Sequence, residues 1–524
     1  MTASNRKHAG SPASELSRRQ VLRQGLGVTA GTVGSLSLPA IARSNGGETL
    51  RIAMAVQGIQ DPHAAGWLPG GILTGQTLGR LCVLGHDNRI GPGLAESWST
   101  SFDLKTWTFQ LREMTWHKGR PFTAEDVAWN IRRWLDPKTK SSLKGLMGSY
   151  LLDAAGEGFW ADSAIEVINN HKFRLNLRIP QIAVAHHLDH YAAQIMDPEE
   201  EGRFGPMANG LGHYRLVDHQ VRRRAVLEAM PGFDGIQRVE FIDLGDDPLA
   251  SVAALRSGQV DGVLQSDPAH HEVLAGLDDI QLYQANTAAT ALVQMKVTVK
   301  PFDDPRVRKA MRLATNCQRV LQLAQRNRGL VGEHHGISPV HPDYAAMDDF
   351  PYDPDQARAL LSDAGHANGI DIQIAAKPDP AWEIDAVQVM VEDWKKAGIR
   401  ATIQLEPNSL FWQKWDSYPL AFVEWAHRPI GTMLAGLTLR TGAPWNATGY
   451  SDPVFDDLLD EADGILDPTS RQVVMGQLQR RLQETGPLVQ PLWRSIETAW
   501  STRVSGFRLH PQYWLFLDQL RLRA

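Results

Sequence analysis

Histidine is the side chain that first invites a chemical reading of this sequence, since 18 are present and several fall close together. His186-His187-Leu188-Asp189-His190 places imidazoles at i and i+4 if the segment is helical, and His334-His335 with His341 forms a second group. Imidazole suits borderline metals, but a metal centre also needs convergent ligands oriented by further hydrogen bonds. Surface or helix-capping histidines are the simpler reading, and no metal site is assigned. His271-Glu272-Val273-Leu274-Ala275 begins like a zinc-protease helix, yet Ala275 stands where the second histidine would have to bind. No G-x-S-x-G elbow, Gly-Lys-Ser/Thr phosphate loop or C-x-x-C occurs. Catalytic residues and cofactors are therefore not expected, and the protein reads as a non-enzyme.

The N-terminus carries chemistry of another kind. Ser17-Arg18-Arg19-Gln20-Val21-Leu22-Arg23 precedes a weakly apolar, glycine-rich stretch over 25–38 and then Pro39-Ala40-Ile41-Ala42. That order is the charged region, apolar region and A-x-A cleavage site of an export signal, with the arginine pair read by the twin-arginine translocase. Residues 1–42 form the predicted leader. No cysteine follows it closely, so no lipid anchor is expected there, and a soluble periplasmic protein is.

Composition agrees with an ordinary globular chain. Of 524 residues, 43% are hydrophobic and 21% charged, enough for two or three domains with substantial cores. A net charge of -6 argues against nucleic acid, whose phosphates require a concentrated basic surface. Arg222-Arg223-Arg224 reads as a solvated strand or turn edge. Cys82 and Cys317 lie too far apart in sequence to suggest a disulfide framework. Sixteen tryptophans exceed the needs of a core and hint at aromatic walls for a ligand.

The elements that would position these groups alternate between strand and helix. Trp107, Phe109 and Leu111, then Phe173, Leu175, Leu177 and Ile179, alternate with polar residues as half-buried strands do. Thr123 lies three residues before Asp126, a capping box, ahead of Val127, Ile131 and Trp134 at helical spacing. Asp304-Pro305 and Asp353-Pro354 start two further helices, the second stopped by Gly365. A helix from Ala386 to Gly398 leads straight into a strand, Ile399 to Leu405. This is an α/β layer arrangement.

Several segments, taken in order, resemble the extracellular solute-binding protein family 5, the peptide/nickel-type binding proteins of ABC importers. Trp107-Thr108-Phe109-Gln110-Leu111-Arg112 followed by Trp116-His117-Lys118-Gly119-Arg120-Pro121-Phe122-Thr123-Ala124-Glu125-Asp126-Val127 is similar to the signature TF-LR-…-F-DG-P-TA-DV. Gly210 to Tyr214, Leu255 to Asp261, Pro301 to Ala310, and Tyr352-Asp353-Pro354 with Ala364-Gly365 resemble further motifs of the family in the same order. The resemblance implies a two-lobed periplasmic binding protein (flytrap) fold with an enlarged first lobe. Residues 43–285 and 491–524 would form lobe I and residues 286–490 lobe II, joined by two crossings that act as a hinge. It also implies capture of a small solute in the interlobe cleft by a monomer that delivers it to an inner-membrane ABC permease. A periplasmic sensor or chaperone, or a nickel-type metal-chelate binder, remains open as an alternative.

In relatives a W-x-x-D/N segment leads from a second-lobe strand into the binding site. Here the corresponding residues are Glu424-Trp425-Ala426-His427-Arg428. The resemblance thus nominates Trp425, Glu424, His427 and Arg428 as ligand contacts, with Trp67 from an early first-lobe loop and Trp445 as further candidates. An aspartate of dipeptide binders that receives an α-ammonium is replaced by Arg428, which reverses the charge preference toward an anionic or zwitterionic solute.

Overall fold

Two long strands organise the molecule. In the computed structural model, which describes residues 49–64, 68–245, 247–266, 270–378, 380–443 and 445–523, Ile280–Met295 and Leu488–Ser501 pair antiparallel at the centre of an eleven-stranded sheet. The leader expected over 1–42 and the candidate Trp67 lie outside the described residues.

From Ile280–Met295 the sheet continues through Leu420–Trp425 and Ile370–Ala376 to Ile399–Leu405. From Leu488–Ser501 it continues the other way through Gly262–Val263, Thr49–Ala53, Arg238–Ile242 and Arg224–Ala229 to Tyr214–Gln220. A separate four-stranded antiparallel sheet holds Ala95–Thr100, Thr106–Leu111, Lys172–Asn176 and Ile165–Asn169. The predicted strand through Ile179 stops at Asn176, and Ile179 is exposed.

The cores follow this division. Trp107, Phe109 and Phe173 stack across the small sheet, with the Phe109 and Phe173 rings 4.9 Å apart, under the helix Ala124–Leu135. A second cluster joins Leu50, Ile52 and Phe241 to Trp500 and Trp514 near the end of the chain. The other body of core runs from Ala291 to Leu492, with Trp394 and Phe422 at its middle. Leu104, Ile182 and Ala183 of the first body meet Ile430 of the second, with Met433 packed alongside, and the Asn88 amide donates to the Val340 carbonyl at 2.9 Å.

The central ladder is broken in two places, each for a local reason. Pro491 has no N–H to give and sits where Val293↔Val489 shifts to Ala291↔Leu492. Between Asn286↔Ser495 and Thr290↔Trp493, the residues Thr287, Ala288 and Ala289 face Arg494 alone. A bulge of that size bends and twists its strand where the chain passes between the two bodies of core.

The quoted motifs are scaffold. Asp126 accepts from the Thr123 N–H at 2.9 Å and the Trp116 indole at 3.3 Å, and the Arg120 guanidinium reaches it at 2.9 and 3.1 Å. Gly119 turns the chain at φ +97° between Trp116 and Arg120, a conformation that favours glycine. Arg308 and Arg312 donate to the carbonyls of Thr485, Glu484 and Gly486, where the helix Pro468–Thr485 ends. Two guanidiniums thus meet the negative end of that helix and its unpaired carbonyls. Burial nevertheless pulls the Arg312 pKa down to about 9, with neighbouring Arg308 adding to the fall.

The histidine groups depart from expectation. The helix at Val184–His187 is only four residues long, so His186 and His190 do not share a helical face. His187, His334, His335 and His341 are buried rather than on the surface. Each has a structural partner: the Tyr150 hydroxyl 2.9 Å from His187, and the backbone N–H groups of Gln490, Ile337 and Ser338 at 3.1, 3.2 and 3.0 Å from His334, His335 and His341. Alternation and spacing do not reveal burial that is set by distant segments.

Candidate functional site

Leu420–Trp425 is buried nearly throughout and pairs antiparallel with Ile280–Met295. Its carboxyl end, with those of the parallel strands Ile370–Ala376 and Ile399–Leu405, is where ligands are received in open α/β sheets. Glu424, the half-buried member of the strand, forms an ion pair across Ile280–Met295 with Arg494 of Leu488–Ser501. The Arg494 guanidinium lies 4.8 Å over the Trp382 ring. Nearby, Lys377 pairs with the buried Glu383, whose pKa burial raises to about 7 against the opposing pull of Lys377.

Trp425 is 9% exposed and belongs to the second body of core. Its ring meets the Trp415 edge at 5.6 Å and stacks on Trp445 at 5.9 Å. Trp445 is 41% exposed. The open surface of this aromatic group therefore belongs to Trp445, and Trp425 backs it.

Beyond the strand end, His427 is buried and accepts the Ala288 N–H on Nδ1 at 3.0 Å. Burial holds its imidazole neutral, with His341, His510 and Arg428 acting in the same direction. Arg428 is half-buried and donates to the His427 carbonyl at 3.2 Å. Its own carbonyl is met by His341 Nε2 at 2.9 Å. Among the described residues Arg428 forms no ion pair. Burial pulls its pKa below the usual guanidinium value, and Tyr191 of the first body is the group that acts against the fall. His187 and His190, beside Tyr191, also feel the Arg428 charge.

The structure thus brings Glu424, Trp425, His427, Arg428 and Trp445 to one end of the second-body sheet. Two residues here were not foreseen: Arg494 and Tyr191. An arginine directly after the largely apolar Leu488-Val489-Gln490-Pro491-Leu492-Trp493 was a usable signal for the first, but Tyr191 carries none in the sequence. Among the described residues no group of three or more His, Cys, Asp or Glu side chains is arranged to hold a metal ion.

Residues 89–446 match the family of bacterial extracellular solute-binding proteins, family 5 Middle. The chain belongs to that family. A dipeptide-binding protein of Pseudomonas aeruginosa is 26% identical over 467 residues, spanning 81% of this chain and 85% of the relative. The glutathione-binding protein GsiB of Pectobacterium atrosepticum is 23% identical over 445 residues, or 80% and 83% of the two chains. Among solved structures, HbpA2 from Haemophilus parasuis superposes with a TM-score of 0.81 at 19% identity, over 91% of this chain and all of that one. The unliganded open form of MppA, a periplasmic murein tripeptide binding protein, gives 0.80 at 18%, over 91% and 98%. The fold is the two-lobed α/β architecture of periplasmic binding proteins. As a family 5 protein the chain is a solute-binding component of an ABC importer, acting in transport. Family members are periplasmic, and no helix among the described residues is long and apolar enough to cross a membrane.

Proposed function

We propose that this family 5 protein captures a small solute bearing an anionic group in its interlobe cleft, with Arg428 as the principal charge partner. The observation that carries this reading is an arginine, half-buried at the strand end, that forms no ion pair among the described residues. A guanidinium sited this way gains most from a carboxylate or phosphate supplied from outside, and its planar fork can hold either by two parallel hydrogen bonds. Tyr191 of the first lobe is near enough to act electrostatically on Arg428, so an anion seated between them would touch both lobes when they close. Dipeptides and glutathione, named for relatives, each carry a carboxylate. A dipeptide held by its ammonium is disfavoured here, because a cation stands where that ammonium would lie.

Glu424 is engaged by Arg494, so a zwitterionic solute would have to exchange partners with that pair. Trp445 supplies the exposed aromatic wall, with Trp425 behind it. We take residues 43–285 and 491–524 as lobe I and 286–490 as lobe II, and the protein as a monomer. Export follows the twin-arginine route after cleavage near Arg43.

Native mass spectrometry of the protein purified from its own periplasm tests the reading. A co-purified solute with an acidic group is expected, and a solute with none removes Arg428 from the site. Replacing Arg18 and Arg19 with Lys is expected to strand precursor in the cytoplasm, since the pair is read as guanidinium and not as charge. Normal processing of that double variant would overturn the export route.

A further inference from the structure

His427 leaves one group unaccounted for. Its side chain is more than nine-tenths buried, with 9% exposure for the residue. Nδ1 accepts the Ala288 N–H, so the proton of the neutral ring sits on Nε2. That Nε2–H has no acceptor among the described residues. Buried donors are nearly always paired in folded proteins, and an exception calls for an explanation. Arg428, the next residue, is a second donor without an anionic partner. Two adjacent donors lacking an acid form a site built for a ligand's acceptor oxygens.

The other end of the same ring holds the crossing between lobes. Ala288 lies in the three-residue bulge opposite Arg494, where the ladder cannot use its N–H. The bulge is otherwise held by Thr287, whose hydroxyl donates to the Arg494 carbonyl at 2.7 Å and accepts the Ala289 N–H at 3.0 Å. His427 is thus the side chain that fixes the Ala288 amide while its far nitrogen remains open.

We propose that His427 is a ligand-contacting residue that couples the site to the hinge: Nε2–H donates to the solute's anionic group beside Arg428, while Nδ1 holds the bulge at Ala288. This rests on the anionic-solute reading above. A bound anion polarises the imidazole, strengthens its grip on the Ala288 amide, and so favours the bend that brings Tyr191 toward Arg428. The reverse also holds, because a coupling between two sites is reciprocal.

Two substitutions separate the ends of the ring. His427→Asn keeps an oxygen near the Nδ1 position, able to accept the Ala288 N–H, but nothing reaches the place of Nε2. His427→Gln places an amide donor near Nε2 and loses the acceptor for Ala288. The probe is N-acetyl-L-alanyl-L-alanine, a carboxylate without an ammonium, compared by calorimetry with its uncharged C-terminal amide. His427→Asn is expected to weaken the carboxylate probe by about 10- to 100-fold, the value of one hydrogen bond to a charged group, with slow hydrogen exchange retained at Ala288. His427→Gln is expected to bind the probe more tightly than His427→Asn while Ala288 exchanges faster and probe-induced compaction in solution scattering is lost. Wild-type affinity in His427→Asn, or unaltered exchange at Ala288 in His427→Gln, overturns the coupling alone. If wild type fails to bind the carboxylate probe at millimolar concentration, or binds it no better than the amide, the anionic-solute reading falls as well.

Discussion

In the reading proposed above, solute choice turns on Arg428. Replacing it with Ala should cost roughly 3–5 kcal/mol of binding by leaving a buried partner charge unpaired, which is about two to four decades in affinity. Calorimetry of both proteins with the solute that co-purifies checks this, and equal affinities would place Arg428 outside the site. The placement of Arg428 at a strand end was legible because it stands in a recognisable segment, where it departs from an aspartate. Trp425 was legible only as an aromatic at the right place. Its burial between Trp415 and Trp445 depends on a helix and a loop whose approach no local pattern reveals. The pairing of Glu424 with Arg494 spans 70 residues, and neither side chain alone announces the other. Tyr191 came to light only once the lobes were in place.

At the scale of elements, local rules were the most readable. The capping box at Thr123, the Asp-Pro starts at Asp304 and Asp353, and the stop at Gly365 all occur as the sequence predicts, because each is decided within a few residues. The helix predicted from Ala386 begins earlier, spanning Ala381–Lys396. Its first turn carries the buried acid Glu383, satisfied by Lys377, and a polar residue at a core position interrupts the apolar period that marks a helix. Asp126 offers a test at this scale. Asp126→Ala removes the acceptor for the Thr123 N–H and the Trp116 indole, and should destabilise the protein by about 2–4 kcal/mol through the lost cap and unpaired buried donors. Chemical denaturation reads the change, and a loss under about 0.5 kcal/mol, as for an ordinary surface substitution, would show that water replaces Asp126. The bulge at Thr287 to Ala289 was not legible, since it exists only in the register between strands some 200 residues apart.

Across the whole molecule, buried neutral histidines set a pH dependence. Burial lowers the pKa of His186 and His190 to about 4 and of His187 and His510 to about 3. For each, the unfolded chain takes up its proton near pH 6.5 and the folded chain only near those lower values. Stability is therefore full above pH 6.5 and falls as pH drops toward 4, by about 1.4 kcal/mol per pH unit for each histidine. Asp189 and Glu383, raised by burial to about 6 and 7, act in the opposite sense, but the four histidines outnumber them. Urea midpoints should drop between pH 7 and pH 5, and a flat profile would mean that these rings are solvated. Solute binding should also compact the molecule and raise its melting temperature by favouring the closed, folded form. A scattering profile unchanged by a saturating solute would contradict closure. The central strand Leu488–Ser501 has a further consequence. It joins Ile280–Met295 to Gly262–Val263 in the middle of the sheet, yet it is made after every strand it pairs with. While the chain emerges from the ribosome, the two halves of that sheet wait with open edges until Leu488–Ser501 has been made. Closing the sheet therefore waits on contacts between segments about 200 residues apart, the kind of pairing that folds slowly and leaves strand edges exposed meanwhile.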